Sequence, residues 1–566
     1  MISPRLLPLT FLLLILFNHC SPVRTKKDPA GETPNPMGTE MTPDMGAQPP
    51  APGGDAAEGL PVPALPEGTA PLDFAKIPEV PLLAVPVADV KAAVPLLGTE
   101  TWYGVYVMNQ KVGYMSNAWS VKDTPEGPRV LQVQQFHMEM NVLGGKKTMV
   151  ISTTSTYDGA GEGALLEHVT LQTADHVKRT VTLRRQPDGS HQATVESVAA
   201  GQTPAPLQTY TPDRPLGGLS ESDLAFSLTI SRDPKTWNAT RSWRARKFMS
   251  TEVTVAHEVG RVVSRSERRV DGKTRPFTVV ETVSDNPKSR VVSVFNELGF
   301  IEVSKIGAIE MRREDKDKAA AGMGAEIDTG LSAVIPLPLG GTPAASITKL
   351  VLELNGPFPN PDFLNTHRYQ LDTAKGKKLT LSVDTIDNLQ KPDPATLPAD
   401  VKKYLKSEPN VESDDPGVIK LAGQAVGGAK TPVEILRAVT LFVGDYVEDT
   451  LRSDVESARM VVQLRKGDCT EHSILATALF RALGFPARQV GGVGYVRMCG
   501  TDSCLEGLGY HAWTQVWVGR WIDVDPTWKQ MPADVTHLMM GATDDMEWLE
   551  SLGNLKITVL EKEVRK

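Results

Sequence analysis

The chain has 566 residues, 23% of them charged and 40% hydrophobic, with 43 Pro and 47 Gly, so it is long enough for roughly three or four domains yet carries stretches that do not pack. Sixty Lys and Arg against 68 Asp and Glu leave a net charge of −8, which excludes a general electrostatic drive toward nucleic acid. Four cysteines in this length exclude a disulfide scaffold, so each is read by itself.

Residues 1–20 read as an export signal. Arg5 supplies a positive charge, and residues 6–17 are apolar apart from Pro8 and Thr10, a run shorter than the roughly 20 residues that cross a bilayer. The run ends at Cys20 and resembles a bacterial lipoprotein signal, although His19 stands where such signals usually have a small residue. The resemblance implies a lipid on Cys20 as the first mature residue, membrane contact through that lipid alone, and a place in the bacterial cell envelope, periplasmic or surface-facing. A plain cleaved signal and an uncleaved anchor are the alternatives. Residues 21–98, dominated by Pro, Ala, Gly and small polar residues, bury too little to offset chain entropy and read as a disordered tether.

Residues 99–313 read as an antiparallel β domain. Residues 179–184 and 279–283 belong to alternating stretches, and Asp188-Gly189 and Asp271-Gly272 supply hairpin turns. The aromatic group Trp102, Tyr103, Tyr106 and Tyr114 is expected in a core more than in a binding patch. Residues 314–345 form a linker or crossing segment, 346–390 a small β module, and 391–414 a second linker. From residue 415 the pattern turns helical. Residues 418–426 and 432–446 are expected helices, the second with Thr431 as its cap and Pro432 at its first position.

The chemistry concentrates near the end of the chain. Lys466-Gly467-Asp468-Cys469-Thr470-Glu471-His472 precedes a helix that stops at Gly484, with Pro486 beyond. Cys469 therefore sits at a helix amino terminus, where peptide dipoles and spare N–H groups favour a thiolate. His472, one turn in, is expected to be structural. Tyr510-His511-Ala512-Trp513 and Asp523-Val524-Asp525-Pro526-Thr527 follow. Cysteine, histidine and aspartate in that order supply a nucleophile, a base and a carboxylate that orients the base. Cys469 with His472, or Cys499 and Cys504 with His511, are also residue types that suit zinc, but no metal and no other cofactor is expected.

These three blocks together resemble the transglutaminase-like superfamily in its bacterial form, over about residues 415–566. The resemblance implies an α+β papain-like domain behind the antiparallel β regions. It implies Cys469 as nucleophile, His511 as general base and Asp525 as orienting carboxylate. Gln515 stands where family members often have Glu. Gln463 is a candidate oxyanion donor, and Trp513 packs beside the site, where it can shape the cleft.

Strand parity supplies a separate expectation. His511, Trp513, Gln515 and Trp517 share one strand face, and Trp521, Asp523 and Asp525 share one face of the next. A two-residue turn would place Asp525 opposite to His511. A three-residue connection, 518–520, pairs Trp517 with Trp521 and leaves His511 diagonal to Asp525. Asp523 shares that face, so parity does not choose between the two, and the position before Pro526-Thr527 favours Asp525. Cys499 and Cys504 are expected to form a local disulfide before His511, or else to remain two thiols. The whole reads as an exported cysteine enzyme acting on amide bonds of a protein or peptide substrate in the envelope, by hydrolysis or by crosslinking. The other reading is a binding or scaffold lipoprotein that keeps a non-catalytic papain-like module.

Overall fold

A computed structural model of the chain describes residues 72, 80–97, 100–107, 109–142, 145–174, 177–199, 207–212, 214–232, 242–250, 253–270, 272–285, 288–322, 334–356, 358, 367–372, 377–450, 457–499, 504–542 and 554–565. Cys20 and the expected export signal lie outside the described residues. Among the described residues, no helix is long and apolar enough to cross a membrane.

The alternating stretches after residue 99 build one antiparallel sheet of 14 strands. Its centre is the pair Thr101–Val107 and Ile309–Glu314, so the first and last strands of the region lie side by side. The other strands run outward from this pair, in chain order to Gln208–Tyr210 on one side and in reverse chain order to Ser242–Met249 on the other. Such a sheet twists and coils, and here its two ends meet face to face. Phe248 and Val253 pack with Leu165, Val181, Leu183, Ala193 and Val195. The helix Asp223–Arg232 fills the curl, with Phe226 against Trp243 at 4.8 Å and Phe295 at 5.4 Å. The expected hairpins stand at both Asp-Gly positions, where Gly189 and Gly272 take φ of 86° and 75°, conformations that favour glycine. Tyr103 is core, whereas Tyr106 lies under the Arg312 guanidinium at 4.2 Å.

Several expected boundaries are corrected. The last part of the expected tether is packed: Leu82 bridges Arg244, and the helix Val87–Leu97 buries Val90, Ala93 and Val94, whose spacing forms one apolar stripe. The crossing segment contributes the strand Ile335–Pro336, paired with Leu508 and Gly507 at the edge of the C-terminal sheet. The small module is a four-stranded sheet that includes Lys556–Val564, paired with Ile347–Asn355. The C-terminal strand therefore belongs to that module and not to the unit beginning at 415. The second expected linker is also docked: Val401 and Val411 are buried, and Arg481 donates to the Lys406 carbonyl at 2.7 Å.

The C-terminal unit sets helices against a sheet. Ile335–Pro336, Cys504–Trp517, Ala487–Cys499 and Leu538–Ala542 are neighbours in that order, and Trp521–Val524 also pairs with Cys504–Trp517. The helices Pro416–Val426, Pro432–Tyr446 and Ala458–Leu464 surround a fourth, Cys469–Ala482, which is buried from Cys469 to Arg481. Leu436, Val439, Leu475 and Phe480 pack in one cluster with Val516, Ile522 and Val524 of the sheet. A side-chain-to-backbone bond fixes the helix on the strand: the Thr514 hydroxyl donates to the Ser473 carbonyl at 3.1 Å.

Candidate active site

Cys469 is the first residue of its helix. Asp468 caps it, accepting from the Thr470 amide at 2.8 Å, while Glu471 reaches back to the Asp468 amide at 2.9 Å. This reciprocal pair satisfies amides that the first turn leaves open. Gly467 is required beside it, because a Cβ there would lie 2.3 Å from Glu471 Cβ. Cys469 is a buried thiol in no disulfide, clustered with Ala512, with Val496 and Trp528 packed against them. His472 is buried and holds the Asp468 carbonyl through Nδ1 at 2.6 Å, the structural place expected of it. Gln463 is exposed on the preceding helix, and Arg465, at φ 54°, turns the chain before Asp468.

His511 lies on the strand Cys504–Trp517, and its partner arrives from the next strand. The observed register pairs Trp517 with Trp521, Val516 with Ile522 and Gln515 with Asp523, the three-residue connection that parity requires. Val518 closes this connection on the Arg520 carbonyl at 2.9 Å, with Gly519 at φ 92°. Asp525 consequently reaches His511: Nε2 of His511 stands 2.9 Å from Oδ2 of Asp525, both residues fully buried. The other ring nitrogen of His511, Nδ1, is buried without a hydrogen-bond partner among the described residues. Burial pushes the His511 pKa down, against the pull of Asp525. Asp525 is held well below the usual carboxylate range by His511 and His537, despite its burial.

Two residues of the site, Trp528 and His537, carried no signal in the sequence. Trp528 lies flat over His511. His537 places Nε2 3.0 Å from the same Oδ2 of Asp525 and Nδ1 3.3 Å from Asp534. Trp513, fully buried, meets His537 edge to face at 5.2 Å and His511 in a stack at 6.0 Å, so it packs beside the site. Gln515 bridges Asp523, at 2.6 Å, and Arg488, at 2.8 and 2.9 Å. A carboxylate in its place would face Asp523, and this accounts for the amide. His511, Asp525 and His537 bring metal-binding atom types within 4.8 Å of one another. Both Nε2 atoms are already engaged by one carboxylate oxygen, which is a hydrogen-bonded chain in form. The backbone register pairs Cys499 with Cys504, while their side chains lie outside the described ones.

The unit is thus a capped helix with a cysteine at its first position, packed on a sheet beside a His–Asp pair. Residues 419–526 match the family model of the transglutaminase-like superfamily, and the chain carries a transglutaminase-like domain there. No curated protein matches the chain. Among solved structures, it is similar to a candidate cysteine protease from Cytophaga hutchinsonii, at 17% identity over 39% of this chain and 86% of the other, with a TM-score of 0.26. It is similar also to the periplasmic domain of TgpA from Pseudomonas aeruginosa bound to ethylmercury, at 14% identity over 36% and 93%, with a TM-score of 0.23. A third similarity is to a β-barrel-like protein of a domain of unknown function from Brucella abortus, at 10% identity over 38% and 94%, with a TM-score of 0.25.

Proposed function

We propose that this chain is an exported cysteine enzyme that acts on peptide or isopeptide amide bonds through an acyl-enzyme thioester. The observation that carries the reading is the His511–Asp525 pair at 2.9 Å with Nδ1 of His511 left over, in the same folded unit as a cysteine at a helix amino terminus. In the proposed cycle, Cys469 Sγ bonds to the substrate carbonyl carbon and its proton passes to Nδ1 of His511. That proton then leaves on the amine as the C–N bond breaks, and Asp525 stabilises the imidazolium between the two transfers. Water or a second amine takes the acyl group from sulfur. We take water as the acceptor, which makes the reaction a hydrolysis, with transfer to an amine as the other outcome. Residues 1–20 support export with a lipid on Cys20, and the Cys499–Cys504 register supports a disulfide in the hairpin before His511.

Complete burial of Cys469, His511 and Asp525 favours one other reading, a retained non-catalytic module. Alkylation with iodoacetamide at mildly acidic pH separates the two. Preferential mass gain on Cys469, lost in His511→Ala, supports the enzyme, and no preference supports the module. Peptide mass spectrometry of an envelope extract treated with the parent chain or with Cys469→Ala then reads cleavage against crosslinking.

A further inference from the structure

Asp525 is fully buried and accepts from four directions. Its Oδ1 takes the amides of Thr527 at 2.9 Å and Trp528 at 3.2 Å, and its Oδ2 takes Nε2 of His511 and Nε2 of His537 at 2.9 and 3.0 Å. An ionised carboxylate only accepts, so both imidazoles donate. His537 faces a second carboxylate through its other nitrogen. Asp534 is fixed by the Thr536 amide at 2.9 Å, the Thr536 hydroxyl at 2.5 Å and Gln530 Nε2 at 2.9 Å, and it too only accepts. With an acceptor at each ring nitrogen, His537 satisfies both contacts only as an imidazolium. His511 has an acceptor at Nε2 alone and satisfies its surroundings as the neutral ring.

We propose that His537 is a positioning residue of the site, an imidazolium clamped between Asp534 and Asp525 that shares the charge of Asp525 and thereby keeps His511 a neutral base in the resting protein. This rests on the reading of Cys469 and His511 as nucleophile and base. The groups that face His537 or hold its partners are consistent with the charge. Asp525 and Asp534 are both held well below the usual carboxylate range, His511 lies 5.5 Å away ring to ring, and Arg368 donates to the Ala533 and Asp534 carbonyls. The Tyr369 hydroxyl lies 2.9 Å from the His537 carbonyl and 3.0 Å from Asp523. Through its two carboxylates the His537 pKa is pushed up to about 9, whereas the charge of His537 adds to burial in pushing His511 down.

The test is a histidine titration by nitrogen NMR on the full chain labelled at its 10 histidines, with His511 and His537 assigned by their loss in single variants. The parent is expected to show a His537 ring doubly protonated well above neutral pH and a His511 ring that is not. His537→Gln keeps a donor for Asp525 but removes the charge. It is expected to raise the His511 midpoint by about one pH unit, as loss of a like charge at this range does. Asp534→Asn, at the rim of the cluster, serves if that variant does not fold: it is expected to lower the His537 midpoint and raise that of His511. A His537 ring that titrates in the parent like an exposed imidazole, or a His511 midpoint unmoved in the variants, overturns the proposal. These titrations need neither substrate nor thiol. Absent alkylation of Cys469 would sink the enzyme reading while the titrations still decide the clamp.

Discussion

The indole of Trp528 lies on the imidazole of His511 with ring centroids 4.1 Å apart and planes 6° from parallel. It also packs on the Cys469–Ala512 cluster, and a Cβ at Gly494 would come within 2.6 Å of it. Trp528 thus covers His511 and Cys469 together, and contributes to the burial that lowers the His511 pKa. Trp528→Ala is expected to cost about 2 kcal/mol in stability, from lost stacking and burial of a half-covered ring. It is also expected to speed carboxymethylation of Cys469, because water and reagent then reach the site. Urea unfolding and timed alkylation check both, and a slower alkylation in a folded variant would count against a covering role.

The cap of the Cys469–Ala482 helix links stability to reactivity. Asp468→Ala removes the acceptor for the Thr470 amide and is expected to destabilise the chain by about 1 kcal/mol. Slower alkylation of Cys469 should accompany it, since the open first-turn amides and the helix dipole that favour a thiolate lose their fixed geometry. Asp468→Asn retains the acceptor and should retain most of both properties. Equal alkylation rates in the Ala variant and the parent would separate the cap from the chemistry.

How much of this was readable in the sequence depended on the range of each interaction. The place and stop of the Cys469–Ala482 helix were legible because stop signals are local, carried by Gly484 and Pro486 just past its end. The His511–Asp525 contact was legible in part: the parity of a three-residue connection fixes which faces meet, but Asp523 shares the face of Asp525, and only the place before Pro526-Thr527 separated them. His537 was not, since it comes to Asp525 through an irregular stretch, 525–537, in which no periodicity relates the two. Nor did alternation in Lys556–Val564 disclose a partner strand about 200 residues earlier, Ile347–Asn355. Apolar spacing in Val90, Ala93 and Val94 was present but outweighed by the Pro and Ala around it.

Stability should depend on pH with two signs. Asp525 and Asp534 are held below the ordinary value of 3.8, so their contribution is present above that value and lost as pH falls through the folded ones. His537 is raised from 6.5 to about 9, so its contribution is complete below 6.5 and lost as pH rises through 9. His511, being lowered, opposes it on the acid side. The His537 effect is of the order of a few kcal/mol. In urea unfolding the gap between the parent and His537→Gln is therefore expected to be widest below about pH 6.5 and to close toward about pH 10. A gap that stays constant across this range would mean that His537 matters through packing and not through charge.

The small module is physically part of the C-terminal unit, and this can be tested by cutting the chain. Arg368, next to the module strand Tyr369–Asp372, is 2% exposed and lies 3.4 Å from Asp384 and 3.5 Å from Asp523. It also donates to the Ala533 carbonyl at 3.0 Å, holding the stretch that carries Asp534 and His537. Removing one partner from such a buried group leaves charges without compensation, so Arg368→Ala is expected to cost about 3 to 5 kcal/mol. A fragment of residues 415–566 lacks Arg368 and Tyr369. It also lacks the strand Ile335–Pro336, which pairs beside Leu508. That fragment is expected to show little protection from hydrogen exchange at His511 and Asp525, and a fragment of residues 334–566 to recover it. A well-folded 415–566 fragment with protected amides at both residues would show that the helices and the central strands hold the site without the module.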